Sequence, residues 1–117
     1  MDRACARARP TASCCHACSG HITNWDVCTT LSNGILLLSE SDHGDFVAVS
    51  YTKKAGSAIT GKLGWVRNGS AHVSTTLTFS TSLEQEYDWT ATASCLPTTG
   101  EIVSGSDTFT TPAAPGC

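Results

Sequence analysis

Three side chains suited to acid–base chemistry or cation binding lie in one short segment, SDHGD at 41–45: Asp42, His43 and Asp45. A hydrolytic centre needs a nucleophile within hydrogen-bond reach of a base, and a third group must orient that base. Ser and Thr occur throughout the chain, so no single hydroxyl stands out as the nucleophile. The segment also has fewer oxygen ligands than a calcium-binding loop. We therefore treat Asp42, His43 and Asp45 as a candidate binding loop and assign no catalytic residue.

A second group of side chains has metal-binding chemistry and lies near the N-terminus. Cys14, Cys15, Cys18 and His21 offer thiolate and imidazole ligands within a short stretch. Tetrahedral zinc sites usually take their four ligands as two pairs separated by a folded knuckle or a longer loop. The second, spaced pair is missing here. The sequence therefore predicts no metal site and no cofactor, with a metal-binding or redox tail as the weaker alternative.

The chain contains 7 cysteines in 117 residues, which is typical of disulfide-bonded proteins from an oxidising compartment. An odd number leaves at least one thiol unpaired or bonded to another molecule. If strands alternate in direction, Cys28 and Cys95 fall at the same end of the domain and Cys117 at the opposite end. We expect a Cys28–Cys95 disulfide, with Cys117 available for a covalent dimer. A bridge from Cys117 to either of the other two is the alternative.

Composition excludes several classes of function. Charged residues make up 15% of the chain and the net charge is −3, so no basic surface for nucleic acid or anionic lipid is expected. The densest apolar run, ILLL at 35–38, is far shorter than the roughly 20 residues of a transmembrane helix. The first 24 residues are too polar for a clear signal peptide. We expect 1–24 to be a disordered or leader segment and 25–117 to be a domain of a secreted protein.

From residue 25 onward, apolar and polar residues alternate in short runs separated by turn residues. Asn33-Gly34 and Asn68-Gly69 are strong hairpin signals. About seven strands without any helical period predict an all-β, antiparallel two-sheet β-sandwich, with immunoglobulin-like or Greek-key connections. The residues expected in its core are Tyr51, Trp65, Leu77, Phe79 and Trp89.

Two strands carry specific expectations. The segment AHVSTTLTFS at 71–80 alternates regularly and predicts one strand with Val73, Thr75, Leu77 and Phe79 facing inward. The segment EIVSGSDTFTTP at 101–112 predicts one imperfect last strand. The family signature of immunoglobulin domains is absent, because the first tryptophan after Cys28 is distant in sequence and Ala93 stands where a tyrosine would be expected.

Two short motifs have alternative interpretations. Residues 96–100, Leu-Pro-Thr-Thr-Gly, resemble a sortase cell-wall sorting signal, which implies a following apolar stretch and a basic tail. The residues after Gly100 contain neither, so we predict a turn instead. Asn68-Gly69-Ser70 matches the acceptor for N-glycosylation, although turn chemistry explains the same residues.

These observations favour a small secreted non-enzymatic protein that acts as a binding, adhesion or inhibitor module. We expect its contacts to lie on loops 41–45, 54–58 and 81–86, and its ligand to be an extracellular protein or a carbohydrate. The alternative is a structural or self-assembling extracellular protein joined through Cys117. A small secreted enzyme or toxin is the third possibility.

Overall fold

The computed structural model of the protein describes Cys18, Gly20, Ile22 and residues 25–117. This part of the chain forms nine strands: β1 Asp26–Leu31, β2 Gly34–Glu40, β3 Phe46–Lys53, β4 Ile59–Arg67, β5 Ser70–Val73, β6 Leu77–Phe79, β7 Glu84–Thr90, β8 Thr98–Ser104 and β9 Asp107–Ala114. One sheet has the order β1-β2-β3-β7 and the other the order β5-β4-β8-β9, with β6 also paired to β4. All pairs are antiparallel. The predicted all-β sandwich is confirmed, with nine strands instead of about seven.

The core lies between the two sheets and follows the alternation of the sequence. Val47, Val49 and Tyr51 on β3 face it, together with Leu36 and Leu38 on β2. Tyr51, Trp65 and Phe79 are buried as predicted, while Leu77 and Trp89 are half-buried and pack against the same cluster. Within the described residues, no helix is long and apolar enough to cross a membrane.

Both predicted Asn-Gly hairpins form, but the two glycines serve different purposes. Asn68 and Gly69 have φ values of 51° and 79°, as the tight turn between β4 and β5 requires. In the first hairpin Leu31 pairs with Gly34, so Gly34 is already the first residue of β2. A Cβ on Gly34 would lie 2.4 Å from the carbonyl oxygen of Thr52. Any side chain at position 34 would collide with β3, so this position requires glycine.

The predicted single strand at 71–80 is broken into β5 and β6. Gly64 pairs with Val73 and Gly61 pairs with Leu77, so two residues of β4 oppose three residues of the partner chain. At this bulge Ser74 accepts a hydrogen bond from the backbone N–H of Leu63 through its Oγ, at 3.0 Å. Because of this extra residue, the side chains of β5 that were predicted to point inward point outward instead. The inward positions predicted for Val73, which is 49% exposed, and for exposed Thr75 are wrong.

The predicted last strand is a hairpin of two strands. Ser104 pairs with Asp107, and Gly105 between them has a φ of 62°. Because β9 reverses the direction of β8, the chain after it returns to the end of the sandwich where Cys95 lies.

The predicted Cys28–Cys95 disulfide is therefore wrong. Cys95 is bonded to Cys117, with their Cα atoms 5.1 Å apart, and Cys28 is bonded to Cys18, with a Cα separation of 5.9 Å. There are two physical reasons for the difference. The β8–β9 hairpin returns Cys117 to the end where Cys95 lies, and Cys28 does not point toward that pair. Its side chain points to the outer face of its sheet, where it packs with Ile35 and Leu37.

Two of the described residues before Trp25 pack on this outer face. Cys18 and Ile22 contact the cluster of Cys28, Ile35 and Leu37. The backbone N–H of Cys28 donates to the carbonyl of Gly20 at 2.8 Å. Part of the segment that we predicted as a leader is thus attached to the domain. Its remainder, including Cys14, Cys15 and His21 of the weak metal-binding motif, lies outside the described residues.

Candidate functional site

The three loops predicted to bind a ligand lie at opposite ends of the sandwich. Residues 84–86 of the predicted loop 81–86 belong to β7. The rest of that loop meets loop 54–58, where Ser82 N–H donates to the carbonyl of Lys53 at 2.7 Å and Thr81 Oγ1 donates to the carbonyl of Gly56 at 2.8 Å. Loop 41–45 precedes β3, whose eight residues separate it from that end by roughly 26 Å. The three loops therefore cannot form a single contact surface.

Loop 41–45 brings together two of its three candidate side chains. Asp42 Oδ1 lies 3.0 Å from Nδ1 of His43, and both side chains are more than half exposed. Asp45 instead accepts a hydrogen bond from Ser41 Oγ and so closes the loop on itself. Asp42 and His43 form a pair that is accessible from solvent, while Asp45 stabilises the loop.

The backbone of His43 ties this loop to the disulfide between Cys95 and Cys117. Its N–H donates to the carbonyl of Gly116 at 3.0 Å, and its carbonyl accepts from the N–H of Ser94 at 2.6 Å. An imidazole nitrogen of His43 and the two Sγ atoms all lie within 4.8 Å of one another. This group was not predicted from the sequence, because the turn between Ser104 and Asp107, which returns Cys117 to this end, was not expected.

Arg67, the last residue of β4, joins four segments at the same end. Its Nε donates to Thr98 Oγ1 at 2.7 Å and its Nη1 to the carbonyl of Thr92 at 3.1 Å. Its Nη2 donates to Glu40 Oε1 at 3.0 Å and to the carbonyl of Gly44 at 3.1 Å. The arginine side chain is only 8% exposed and that of Glu40 is fully buried, so this is an interior ion pair.

The electrostatics of Glu40 follow from this burial. Burial raises the pKa of the Glu40 carboxyl, while the positive charge of Arg67 acts in the opposite direction. Oε2 of Glu40 has no hydrogen-bond partner in the part of the chain that the structure describes. The charge of Arg67 stabilises the buried carboxylate of Glu40. Through this ion pair Arg67 also holds β2 beside the other segments that it contacts.

A cleft of about 600 Å³ lies beside Arg67, between strands β4 and β5 and the segment that follows β7. His72 stacks on Trp65 with ring centroids 4.1 Å apart, and the Arg67 guanidinium carbon lies 4.9 Å from the centroid of Trp65. The indole Nε1 of Trp65 is buried and has no acceptor among the described residues. The residues lining the cleft are Trp65, Arg67, Asn68, Ser70, His72, Thr90, Ala91, Thr92, Ala93, Ser94 and Leu96.

None of these residues was predicted from the sequence to lie in a binding site. One signal was available, because Arg67 continues the inward-facing positions Leu63 and Trp65 of a strand whose alternation had been recognised. A lone arginine at an inward position requires buried acceptors. The partner Glu40 is distant in sequence, so the pair itself could not be identified before the fold was known.

A smaller cavity of about 280 Å³ lies at the opposite end, beside Tyr51 and Lys53. Lys53 is 1% exposed, and its ammonium donates to the carbonyl of Ala55. This bond fixes the start of loop 54–58. We therefore attribute a structural role to Lys53, and the larger cleft remains the candidate site.

Comparison with known proteins adds no further assignment: no protein family matches the chain, and no curated protein or solved structure is significantly similar to it.

Proposed function

We propose that the protein is a secreted non-enzymatic binding module, and that its ligand is an extended peptide segment of an extracellular protein. The segment would lie in the cleft beside Arg67, paired with the edge of β5. The observation that carries this proposal is the position of β5, which forms one wall of the cleft and also ends its sheet. Among the described residues, no strand pairs with the outer edge of β5.

The free edge of β5 offers backbone groups for pairing. Arg67 pairs with Ser70 around a two-residue turn, and Val66 pairs with Ala71. In such a hairpin the closing pair is hydrogen-bonded and the next pair is not, so the N–H and carbonyl of Ala71 point away from β4. Edge groups of this kind are a template for strand addition by a peptide.

The cleft would then receive alternate side chains of the bound segment. Ser70 and His72 line the cleft, and side chains of an added strand on that face would point in the same direction. Leu96, which is 47% exposed, supplies an apolar contact.

The walls of the cleft are fixed before any ligand binds. Arg67 holds Thr92 and Thr98 on either side of the disulfide-bonded Cys95. A wall that is already ordered loses little conformational entropy on binding, which favours affinity. Two intramolecular disulfides are also compatible with an extracellular protein.

The other candidate functions have less support. A carbohydrate usually stacks on an open aromatic face, but Trp65 is 3% exposed and is covered by His72. Assembly through Cys117 would first require its bond to Cys95 to open. An enzyme would use the Asp42–His43 pair, which lies next to a disulfide and has no hydroxyl nucleophile assigned to it.

The test is selection of peptides from a displayed random-peptide library on the purified protein, followed by calorimetric titration of the selected peptides. We expect Ala71→Pro, which removes an outward N–H, and Leu96→Ala to weaken binding by more than about tenfold each. Leu83→Ala is the matched control, because Leu83 is similarly exposed, at 54%, and precedes β7 at the opposite end. Selected peptides that bind all three variants equally, or a library that yields none while glycans bind, would overturn the proposal.

A further inference from the structure

We propose that His43, Cys95 and Cys117 form a redox-dependent zinc site. In the oxidised protein the two sulfurs are joined in a disulfide. After reduction, both thiolates and the imidazole of His43 bind one zinc ion. The end of the chain would thereby be attached to loop 41–45 and to residue 95 in either state.

The three ligand groups are already close enough for this site. Their ligand atoms lie within 4.8 Å of one another. Around tetrahedral zinc, with bonds of about 2.0–2.3 Å, neighbouring ligand atoms are roughly 3.3–3.8 Å apart. Opening the disulfide lets its sulfurs separate to that distance, and the imidazole needs a shift on the order of 1 Å.

Backbone hydrogen bonds tie His43 to the segments that carry both cysteines. Its backbone N–H and carbonyl are hydrogen-bonded to Gly116 and Ser94, the residues that immediately precede the two cysteines. Its φ of 66° places it in the left-handed region, which non-glycine residues enter only when the surrounding structure holds them there. Neither bond involves a sulfur atom, so we expect them to keep the three ligands together after reduction.

Asp42 gives the histidine the second interaction that metal ligands usually have. Its carboxylate lies 3.0 Å from Nδ1 of His43. In carboxylate–histidine–zinc arrangements, a carboxylate on one ring nitrogen fixes the ring while the other nitrogen binds the metal. Two thiolates and one imidazole leave the fourth position to water, which is the ligand set of an open zinc site.

The chemistry balances with an external dithiol as reductant. Its two thiols transfer two electrons and two protons, the Cys95–Cys117 bond breaks to two thiols, and the dithiol leaves as a disulfide. Binding of zinc then releases those two protons to solvent. The Cys18–Cys28 disulfide is less accessible, because Cys28 is 2% exposed and Cys18 is half-buried, whereas both Cys95 and Cys117 are exposed. A mild reductant should therefore open the Cys95–Cys117 bond first.

The experiment uses Co²⁺ as a spectroscopic probe for zinc. The full chain carrying Cys5→Ser, Cys14→Ser and Cys15→Ser keeps Cys18, Cys28, Cys95 and Cys117 and removes the remaining three cysteines as competing ligands. It is titrated with Co²⁺ before and after mild reduction with a phosphine, which does not itself supply thiolate ligands. We expect the absorption bands of tetrahedral cobalt–thiolate only in the reduced protein, with one ion bound per chain and displacement by Zn²⁺.

Three variants test whether these three side chains, and not others in the chain, bind the cobalt ion. His43→Asn keeps a residue that tolerates positive φ but removes the imidazole, and should weaken Co²⁺ binding by more than about tenfold. Replacing both Cys95 and Cys117 with Ser should abolish the bands, whereas His72→Ala, at the other exposed described histidine, should leave them unchanged. Circular dichroism checks that each variant is folded. Absence of bands in the reduced parent, or binding that His43→Asn and the double cysteine variant leave intact, would overturn the proposal.

Discussion

Arg67 on β4 donates from Nη2 to Oε1 of Glu40 on β2 at 3.0 Å, and this ion pair joins the two sheets through the interior of the sandwich. The same arginine is bonded to three further segments at the end where loop 41–45 lies. The candidate cleft and the His43–Cys95–Cys117 group both lie next to segments that Arg67 holds. This pair therefore determines the shape of the candidate site.

Arg67→Met should destabilise the protein strongly, because it leaves the Glu40 carboxylate buried without its positive partner. Removal of one partner from a buried ion pair typically costs about 3–5 kcal/mol. Chemical denaturation measures this loss. Lys62→Met is the matched control, because Lys62 lies on the same strand but is exposed, and it should change the free energy of unfolding by less than about 0.5 kcal/mol. A similar effect of the two substitutions would show that the interior pair does not stabilise the fold.

Stability should depend on pH through Glu40. Its pKa in the folded protein is raised above the ordinary value of 4.5, so the folded state binds more protons than the unfolded state between the two values. The contribution of Glu40 to the free energy of unfolding therefore falls as the pH rises from 4.5 through the folded pKa. Glu40→Gln should remove this part of the profile. Urea unfolding across the acidic range tests it, and parallel profiles for the two proteins would contradict the assignment.

The disulfide pairing can be tested by peptide mapping under non-reducing conditions. We expect peptides containing Cys95 and Cys117 to be linked to each other, and Cys18 to be linked to Cys28. Replacing Cys95 and Cys117 together with Ser should lower the free energy of unfolding by about 3 kcal/mol, from the loop entropy of a sequence separation of 22. Recovery of a Cys28–Cys95 peptide would contradict the structure.

Gly100 should be sensitive to a single added methyl group. A Cβ there would lie 3.0 Å from the Cβ of Leu38 on the facing sheet, which cannot move without shifting its strand. Gly100→Ala should cost about 1–3 kcal/mol. In the background of Leu38→Gly, which removes the Cβ that the added methyl group would meet, the same substitution should cost clearly less. Additive effects in this double-mutant cycle, measured by denaturation, would show that sheet spacing does not require the glycine.

Gly100 also changes the interpretation of the sorting-like pentapeptide, which was predicted to be a turn. Leu96 and Pro97 are exposed and connect β7 to β8, but Thr98 is already the first residue of β8 and is fully buried. Thr98 Oγ1 accepts from Arg67, and Gly100 lies at the core. Only the first half of the motif is a connection.

Local signals in the sequence determined most of the strands and two of the hairpins. Alternation placed Val47, Val49 and Tyr51 inward, and the Asn68-Gly69 dipeptide fixed a turn, because both depend on residues that are neighbours in the chain. The bulge at Ser74 could not be predicted from such local signals, because it arises from pairing with Leu63. Simple alternation of apolar and polar residues does not show where a bulge exchanges the inward-facing and outward-facing positions.

The tertiary structure alone decided which distant groups meet. Cys117 reaches Cys95 because the β8–β9 hairpin reverses the chain, and Glu40 reaches Arg67 because their strands belong to facing sheets. Such contacts depend on the direction and sheet membership of every intervening strand. One missed turn therefore places all following residues at the wrong end of the sandwich, as it did for Cys117. The sequence determined an all-β sandwich with a buried aromatic core. The cleft, the disulfides and the ligand geometry around His43 followed only from how the strands pack.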